Sequence, residues 1–168
     1  MSSATSVLQR VQFREPLAED GIDIWELVRN TQVLDVNSVY SYLMLCKLFP
    51  DTCVVAETAG AVVGFVSAFR SPVSVKTLFI WQVAVAKSQQ GQGLATALLH
   101  ELLERKVCED ICYLEATIAP SNAASQSLFR KLAKQYGLQC DVSDYFPKHL
   151  FPGSGHEAEL LFRIGPMA

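Results

Sequence analysis

The segment from Trp81 to Lys106 constrains this chain most, because an apolar strand pattern, Trp81-Gln-Val-Ala-Val-Ala86, passes into a helical pattern through Gly91 and Gly93. Strands that alternate with helices in this way build a sheet covered by helices. Glycines at 91 and 93 let the backbone turn sharply, so that several N–H groups point outward together at a helix start whose first donors have no intrahelical partner. The helix dipole adds the equivalent of about +0.5 charge. Such a turn suits a pyrophosphate held on main-chain amides, with little help from Lys or Arg.

Other glycine motifs fit less well. A Walker loop needs Gly-Lys-Ser/Thr after a longer gap, and a dinucleotide fingerprint needs glycine where Ala95 stands, with an acidic residue about 20 positions on. An ordinary strand-to-helix turn that tolerates glycine is the remaining alternative.

At 168 residues, the chain suits one domain, placed at residues 10–168, that buries about 70% of its unfolded surface without metal or disulfide help. A net charge of −3 with scattered basic residues gives no footprint for nucleic acid or an anionic membrane, and favours a cationic ligand. Cys46, Cys53, Cys108, Cys112 and Cys140 form no CxxC pair, and Cys108 with Cys112 lacks a second pair or a nearby His, so reduced thiols and no metal are expected. The first residues lack the basic start and apolar run of a signal peptide, and nothing approaches a spanning apolar run, so a cytoplasmic protein is expected. Residues 1–9 are small and polar and are expected to be disordered.

The pattern predicts a strand over Val11–Arg14, a helix over Gly21–Thr31 with Ile22, Trp25 and Val28 at helical spacing, and a second helix over Ser38–Leu48. Strands over Thr52–Glu57 and Ala61–Phe69 form a hairpin about Thr58-Ala-Gly60, followed by a strand over Leu78–Ala86. After the glycine turn come a helix to Lys106, a strand over Ile111–Ile118, and a helix opened by Pro120-Ser-Asn122 and broken at Gly137. Leu138–Val142 reads as strand, Ser143–Gly155 as loop, and Glu157–Ile164 as the closing strand.

The order Gln90-Gly-Gln-Gly93-Leu-Ala95 resembles the acetyl-CoA signature of the GNAT superfamily of N-acetyltransferases, and the β-α-α-β-β-β-α-β-α-β-β order is similar to that fold over nearly the whole chain. The resemblance implies an α/β (α+β) fold, with a mixed central sheet, helices on both faces, and fourth and fifth strands that splay apart around acetyl-CoA, the cosubstrate. It implies that Val83, Ala84 and Val85 offer backbone to the pantetheine arm. Gln90, Gly91, Gln92, Gly93, Leu94 and Ala95 would hold the pyrophosphate. Asn122, Ser125 and Phe129 fall on the family's second cofactor segment, although Asn122 reads equally well as a helix cap.

A more specific resemblance lies elsewhere. The blocks Leu34-Asp35-Val-Asn37-Ser-Val-Tyr40-Ser-Tyr42-Leu, Asp51-Thr-Cys-Val-Val-Ala-Glu57, Leu78-Phe-Ile-Trp81-Gln82-Val, Glu115-Ala-Thr117-Ile-Ala-Pro120 and Gly155-His156-Glu157-Ala-Glu159-Leu are similar to the diaminobutyrate acetyltransferases of ectoine synthesis. That resemblance implies acetyl transfer to the 4-amino group of L-2,4-diaminobutyrate, giving the precursor of the osmoprotectant ectoine, by a homodimer. Two alternatives stand beside it: another small diamine or a protein amine as acceptor, or a module that holds acyl-CoA without transferring the acyl group.

A diamino acid carries two ammonium groups, so its site needs fixed negative charge. Asp35 and Glu159 match family blocks and both can make charge-assisted hydrogen bonds to an ammonium. Glu157 lies on the same face of the last strand as Glu159 by alternation, and is a substitute candidate for the same role. Tyr40 and Trp81 either wall the aliphatic part of the substrate or belong to the core, and Thr117 offers a hydroxyl. Arg70, Lys148 and Arg163 are the cations available for the substrate carboxylate. Because exposing a neutral amine at pH 7 costs about 4–5 kcal/mol, Glu159 is the expected proton acceptor. Many family members carry Tyr where Phe129 stands, as the acid that protonates the leaving thiolate. Phe cannot do this, so either Tyr145 or water must.

Overall fold

The computed structural model describes residues 10–167. The expectation for residues 1–9 lies outside the described residues. Contacts divide the chain into two compact units, one reaching to Phe69 and resuming over Gln82–Glu109, the other made of Arg70–Trp81 and the residues from Asp110 on.

The first unit holds β1 (Gln12–Arg14), α1 (Gly21–Thr31), α2 (Val39–Leu48), β2 (Val54–Thr58), β3 (Ala61–Arg70, its last residue excepted) and, after the Gln82–Val85 half of β4 (Thr77–Val85), α3 (Leu94–Leu103). Strand β1 runs antiparallel to β2, and β2 antiparallel to β3, with Val55 opposite Phe65 and Ala56 opposite Gly64. Because successive side chains alternate faces, these two adjacent pairs serve opposite sides. Val55 and Phe65 pack with Ile24, Leu27 and Val28 of α1 and Tyr42, Leu45 and Cys46 of α2. On the other side, a Cβ at Gly64 would come within 3.0 Å of Leu98 and 3.3 Å of Leu94 from α3, so this strand position admits the helix only without a side chain. Helices therefore cover both faces of this part of the sheet.

The second unit holds the Thr77–Trp81 half of β4, then β5 (Tyr113–Ile118), α4 (Ala123–Gln135), β6 (Cys140–Phe146) and β7 (Glu159–Ile164). Strand β5 pairs antiparallel with β7, and β7 antiparallel with β6. Strand β4 runs parallel to β5, but their ladder covers only Thr77–Tyr113 to Phe79–Glu115, although both strands continue. This is the splay of the fourth and fifth strands. Strand β4 is common to both units, and the strand order is β1-β2-β3-β4-β5-β7-β6, a mixed sheet.

The element order matches the sequence expectation throughout, with several boundaries corrected. The buried stripe of α1 is Ile24, Leu27 and Val28, while Ile22 is 56% exposed. Helix α3 ends at Leu103 rather than Lys106 because Arg105 turns extended and its guanidinium donates to the carbonyls of Asp51 (3.0 Å) and Cys53 (2.6 Å). Strand β6 runs on to Phe146 through residues expected as loop, since β7 supplies it with pairing partners from Cys140–Ile164 to Phe146–Glu159. Strand β7 starts at Glu159, so Glu157 lies outside it. The five cysteines are free thiols, and burial pushes Cys46 up to about 12 and Cys53 up to about 11, which keeps both protonated at neutral pH. Among the described residues no helix is long and apolar enough to cross a membrane.

One ion-pair cluster ties β1 to its neighbours. Arg14 donates to both carboxylate oxygens of Asp20 (2.7 and 2.9 Å) and to Glu57 (2.8 Å), and Leu17 N also donates to Asp20 (2.7 Å). The Arg14 hydrogen bond holds the Asp20 carboxyl below the usual carboxylate range. A lowered folded-state value stabilises the fold above the unfolded value of about 4, and this contribution is lost as pH falls through the folded value. Asp20→Asn should therefore cost about 1–3 kcal/mol in urea unfolding at pH 7. The gap to wild type should shrink at pH 3; a gap of equal size at both values would contradict this origin.

Candidate active site

The glycine turn sits between β4 and α3. Gly91 and Gly93 both adopt the left-handed conformation, with φ of 76° and 78°, which lets the chain fold back into α3 without the strain a Cβ would bring. Gly93 is itself the N-cap residue and no side chain caps the helix. The first-turn amides of α3, at Leu94, Ala95 and Thr96, thus have neither an intrahelical acceptor nor a capping oxygen. Residues 90–93 are exposed. The arrangement can receive an anion through backbone donors alone.

Upstream of that turn, β4 alternates. Gln82 and Ala84 are buried, whereas Val83 and Val85 are only partly covered. Asp35 lies in the segment between α1 and α2, exposed, two residues before Asn37, and Tyr40 in the first turn of α2 is 69% exposed. Behind Asp35 sits a buried polar chain that sequence reading missed. Gln82 Nε2 donates to the Asp35 carbonyl (2.6 Å), Tyr42 OH donates to Gln82 Oε1 (2.9 Å), and Asn37 N donates to Tyr42 OH (3.4 Å). The block containing Trp81 and Gln82 was visible as sequence, yet nothing in a one-dimensional pattern says that a strand glutamine reaches the loop 47 residues earlier.

In the second unit, Glu159 opens β7 opposite Phe146, and Tyr145 occupies the register shift of β6 between Asp144 and Phe146. Thr117 on β5 stands opposite Leu161 on β7. Thr117, Tyr145 and Glu159 thus come from three neighbouring strands, β5, β6 and β7. Tyr145 is 47% exposed, with its ring edge-on to Phe146 at 4.4 Å, and it is a strand residue rather than the loop residue expected. The Glu159 side chain is 19% exposed. His156, to which the sequence pattern assigns no role, lies three residues before Glu159. Its ring stacks on Phe151 (3.8 Å, 10°) and its Nδ1 donates to the Glu157 carbonyl (2.6 Å), which turns Nε2 toward Glu159 at 4.0 Å. Since a carbonyl can only accept, Nδ1 carries the hydrogen.

The remaining candidates separate. Glu157 accepts a hydrogen bond from Ser121 Oγ and lies off β7, so the shared-face argument for it does not hold. Trp81 is 43% exposed and is not a core residue. Asn122 caps α4, its side chain accepting from Ser125 N at 3.1 Å, while Phe129 is buried within α4. Of the three cations considered for a carboxylate, Arg70 pairs with Asp110 (2.8 Å) and Arg163 with Glu115 (2.9 Å), where it also lies over the Tyr113 ring at 3.8 Å. Lys148 sits on an exposed turn after β6. A cleft of about 620 Å³ bordered by Asp23, Glu26, Asn30 and Lys87 contains none of the predicted site residues.

The sequence matches the family model described as the acetyltransferase (GNAT) family over residues 21–133. It is 52% identical over 166 residues to the L-2,4-diaminobutyric acid acetyltransferase of Marinococcus halophilus, covering 99% of this chain and 96% of that protein. The protein of the same name from Halalkalibacterium halodurans is 53% identical over 153 residues, covering 91% and 80%. Among solved structures, the diaminobutyrate acetyltransferase of Paenibacillus lautus, in complex with its substrate L-2,4-diaminobutyric acid and coenzyme A, superposes with a TM-score of 0.90. It is 47% identical to this chain, over 93% of it and 95% of the other.

The cap geometry at Asn122 is open to a direct check. Asn122→Ala should destabilise the protein by about 1 kcal/mol in urea, whereas Asn122→Asp, which keeps the accepting oxygen, should stay close to wild type. Equal stability of Asn122→Ala and wild type would remove the cap as the residue's structural role.

Proposed function

The chain belongs to the acetyltransferase (GNAT) family, and on that premise we propose that it transfers the acetyl group of acetyl-CoA to the 4-amino group of L-2,4-diaminobutyrate, releasing N4-acetyl-L-2,4-diaminobutyrate and coenzyme A. The observation that carries the cosubstrate is the uncapped start of α3 behind two left-handed glycines, which suits a diphosphate. The acceptor rests on the likeness to relatives of that activity over nearly the full length. Acetyl-CoA supplies an activated thioester carbonyl and a thiolate leaving group.

Residues Gln90 to Ala95 hold the diphosphate on main-chain amides, and the backbone of Val83, Ala84 and Val85 pairs with the pantetheine arm and steadies the carbonyl. Asn122 and Ser125 line the second cofactor segment, where Phe129 contributes packing. The amine poses the harder problem. Its ammonium form predominates by about 4–5 kcal/mol at pH 7, and a carboxylate contact alone would strengthen that preference. Glu159 therefore acts as the acceptor of the proton, directly or through a water molecule, as the 4-amine leaves solvent.

Asp35 faces the α-ammonium and keeps it charged, which makes the far amine the only nucleophile. Tyr40, Trp81 and Thr117 flank the substrate, and Glu157 is a weaker candidate now that it lies off β7. Tyr145 protonates the thiolate as it leaves, or water does. Residues 10–168 act as one catalytic domain, and the protein works in the cytoplasm as a homodimer that supplies the precursor of ectoine for osmoprotection. The exposed side chains of Val142 and Phe146 on β6, a strand at the end of the sheet order, favour a second copy as partner.

Glu159→Gln should lower kcat about 100-fold or more while coenzyme A binds within twofold of wild type by calorimetry; an unchanged kcat would remove Glu159 from the mechanism. Among 2,3-diaminopropionate, 2,4-diaminobutyrate and ornithine, kcat/KM should peak at diaminobutyrate by at least about tenfold. A flat series, or a peak elsewhere, would reassign the acceptor.

A further inference from the structure

Gln82 is 7% exposed and Tyr42 is fully buried, and a buried polar pair of this kind persists only if its hydrogen bonds are satisfied. The direction of each bond here is forced. The Asp35 carbonyl can only accept, so the amide nitrogen of Gln82 faces it at 2.6 Å and the amide oxygen faces Tyr42 at 2.9 Å. Tyr42 must then donate to Gln82, which leaves its lone pairs for Asn37 N at 3.4 Å. Burial pushes the Tyr42 phenol up, so it stays a donor at every working pH. The Gln82 backbone is fixed as well, its N–H donating to the buried Ser67 hydroxyl at 3.1 Å. Strand β4 thereby holds the residue 35 carbonyl directly, and through Gln82 it orients the α2 hydroxyl of Tyr42 that accepts from the residue 37 amide. The segment it grips follows a left-handed residue, Gln32 (φ 61°), and has no ladder or helix of its own to hold it.

We propose that Gln82, acting with Tyr42, is a positioning residue for the diamino acid: it sets the place of the Asp35 carboxylate by clamping the backbone on either side of Val36. This deepens the reading in which Asp35 receives the α-ammonium and rests on it. Gln82 touches neither reacting atom. Its effect falls on recognition of the acceptor rather than on the cosubstrate.

The test compares Gln82→Met, which keeps length and burial but neither hydrogen bond, with Tyr42→Phe, which keeps the ring and its edge-on packing against Phe65. Gln82→Met should raise KM for diaminobutyrate about tenfold, with KM for acetyl-CoA within twofold, and Tyr42→Phe should raise it in the same direction by less. Amide hydrogen exchange at Asn37 should accelerate in both. Asp35→Ala combined with Gln82→Met should lose no more than twofold beyond Asp35→Ala alone, because both act through one carboxylate. If Gln82→Met does not fold, Tyr42→Phe and its pairing with Asp35→Ala carry the same comparison. A raised KM in Asp35→Ala beside wild-type KM in both clamp variants overturns the proposal alone, as do losses that multiply. Wild-type KM in Asp35→Ala overturns the Asp35 reading and the proposal with it.

Discussion

The backbone donors this molecule presents on its first unit depend on how the chain leaves β4 and enters α3. A side chain at 91 or 93 would meet no neighbour, so the demand there is conformational: both residues sit at φ near 77°, where an L side chain costs about 1–2 kcal/mol. With that turn in place, the first helical amides face outward with no capping oxygen to consume them. The same helix is anchored from behind by Leu94 and Leu98 against Gly64, where a Cβ would come within 3.0 Å of Leu98. The outward-facing amides and the packing contact with Gly64 thus belong to the same first turns of one helix. Diphosphate binding needs no basic cluster, in keeping with a chain of net charge −3.

Polar interiors do a second kind of work. Tyr42, Gln82 and Ser67 lie within the apolar packing of the first unit, where leucine or methionine would fit with less desolvation. What they add is direction, because each bond has only one satisfying arrangement, and that arrangement fixes an exposed loop carrying Asp35. Arg14 with Asp20 and Glu57 does the same for β1, tying a three-residue strand to a longer one. In both places a charged or amide group spans between elements distant in sequence.

The fold was legible in the chain because its signals are local. Ser38 and Asn122 announce helix starts through their own side chains, which accept from Ser41 N and Ser125 N as a cap should. The hairpin at Ala59 and Gly60 and the order of strands and helices follow in the same way. Errors appear where the deciding partner is remote. Strand β6 reads as loop from Ser143 on, since its pairing comes from β7, and every one of its residues from Asp141 to Phe146 is exposed, leaving no alternation to see. Counting along the pattern puts Glu157 on a strand, but the chain there is committed to Ser121 and to the His156 turn instead. The candidate site divides likewise. The cofactor turn and the two carboxylates were readable as motif and charge, whereas the Gln82 clamp and the approach of His156 to Glu159 exist only once the chain has folded.

Regiochemistry offers the sharpest measurement, since the account turns on one amine being neutral and the other held charged. Purified protein mixed with acetyl-CoA and L-2,4-diaminobutyrate, followed by proton NMR of the product and a thiol assay, should give one acetyl group per thiol released, all of it on the 4-nitrogen. Acetylation at the 2-nitrogen, or no thiol beyond the uncatalysed background, would contradict it.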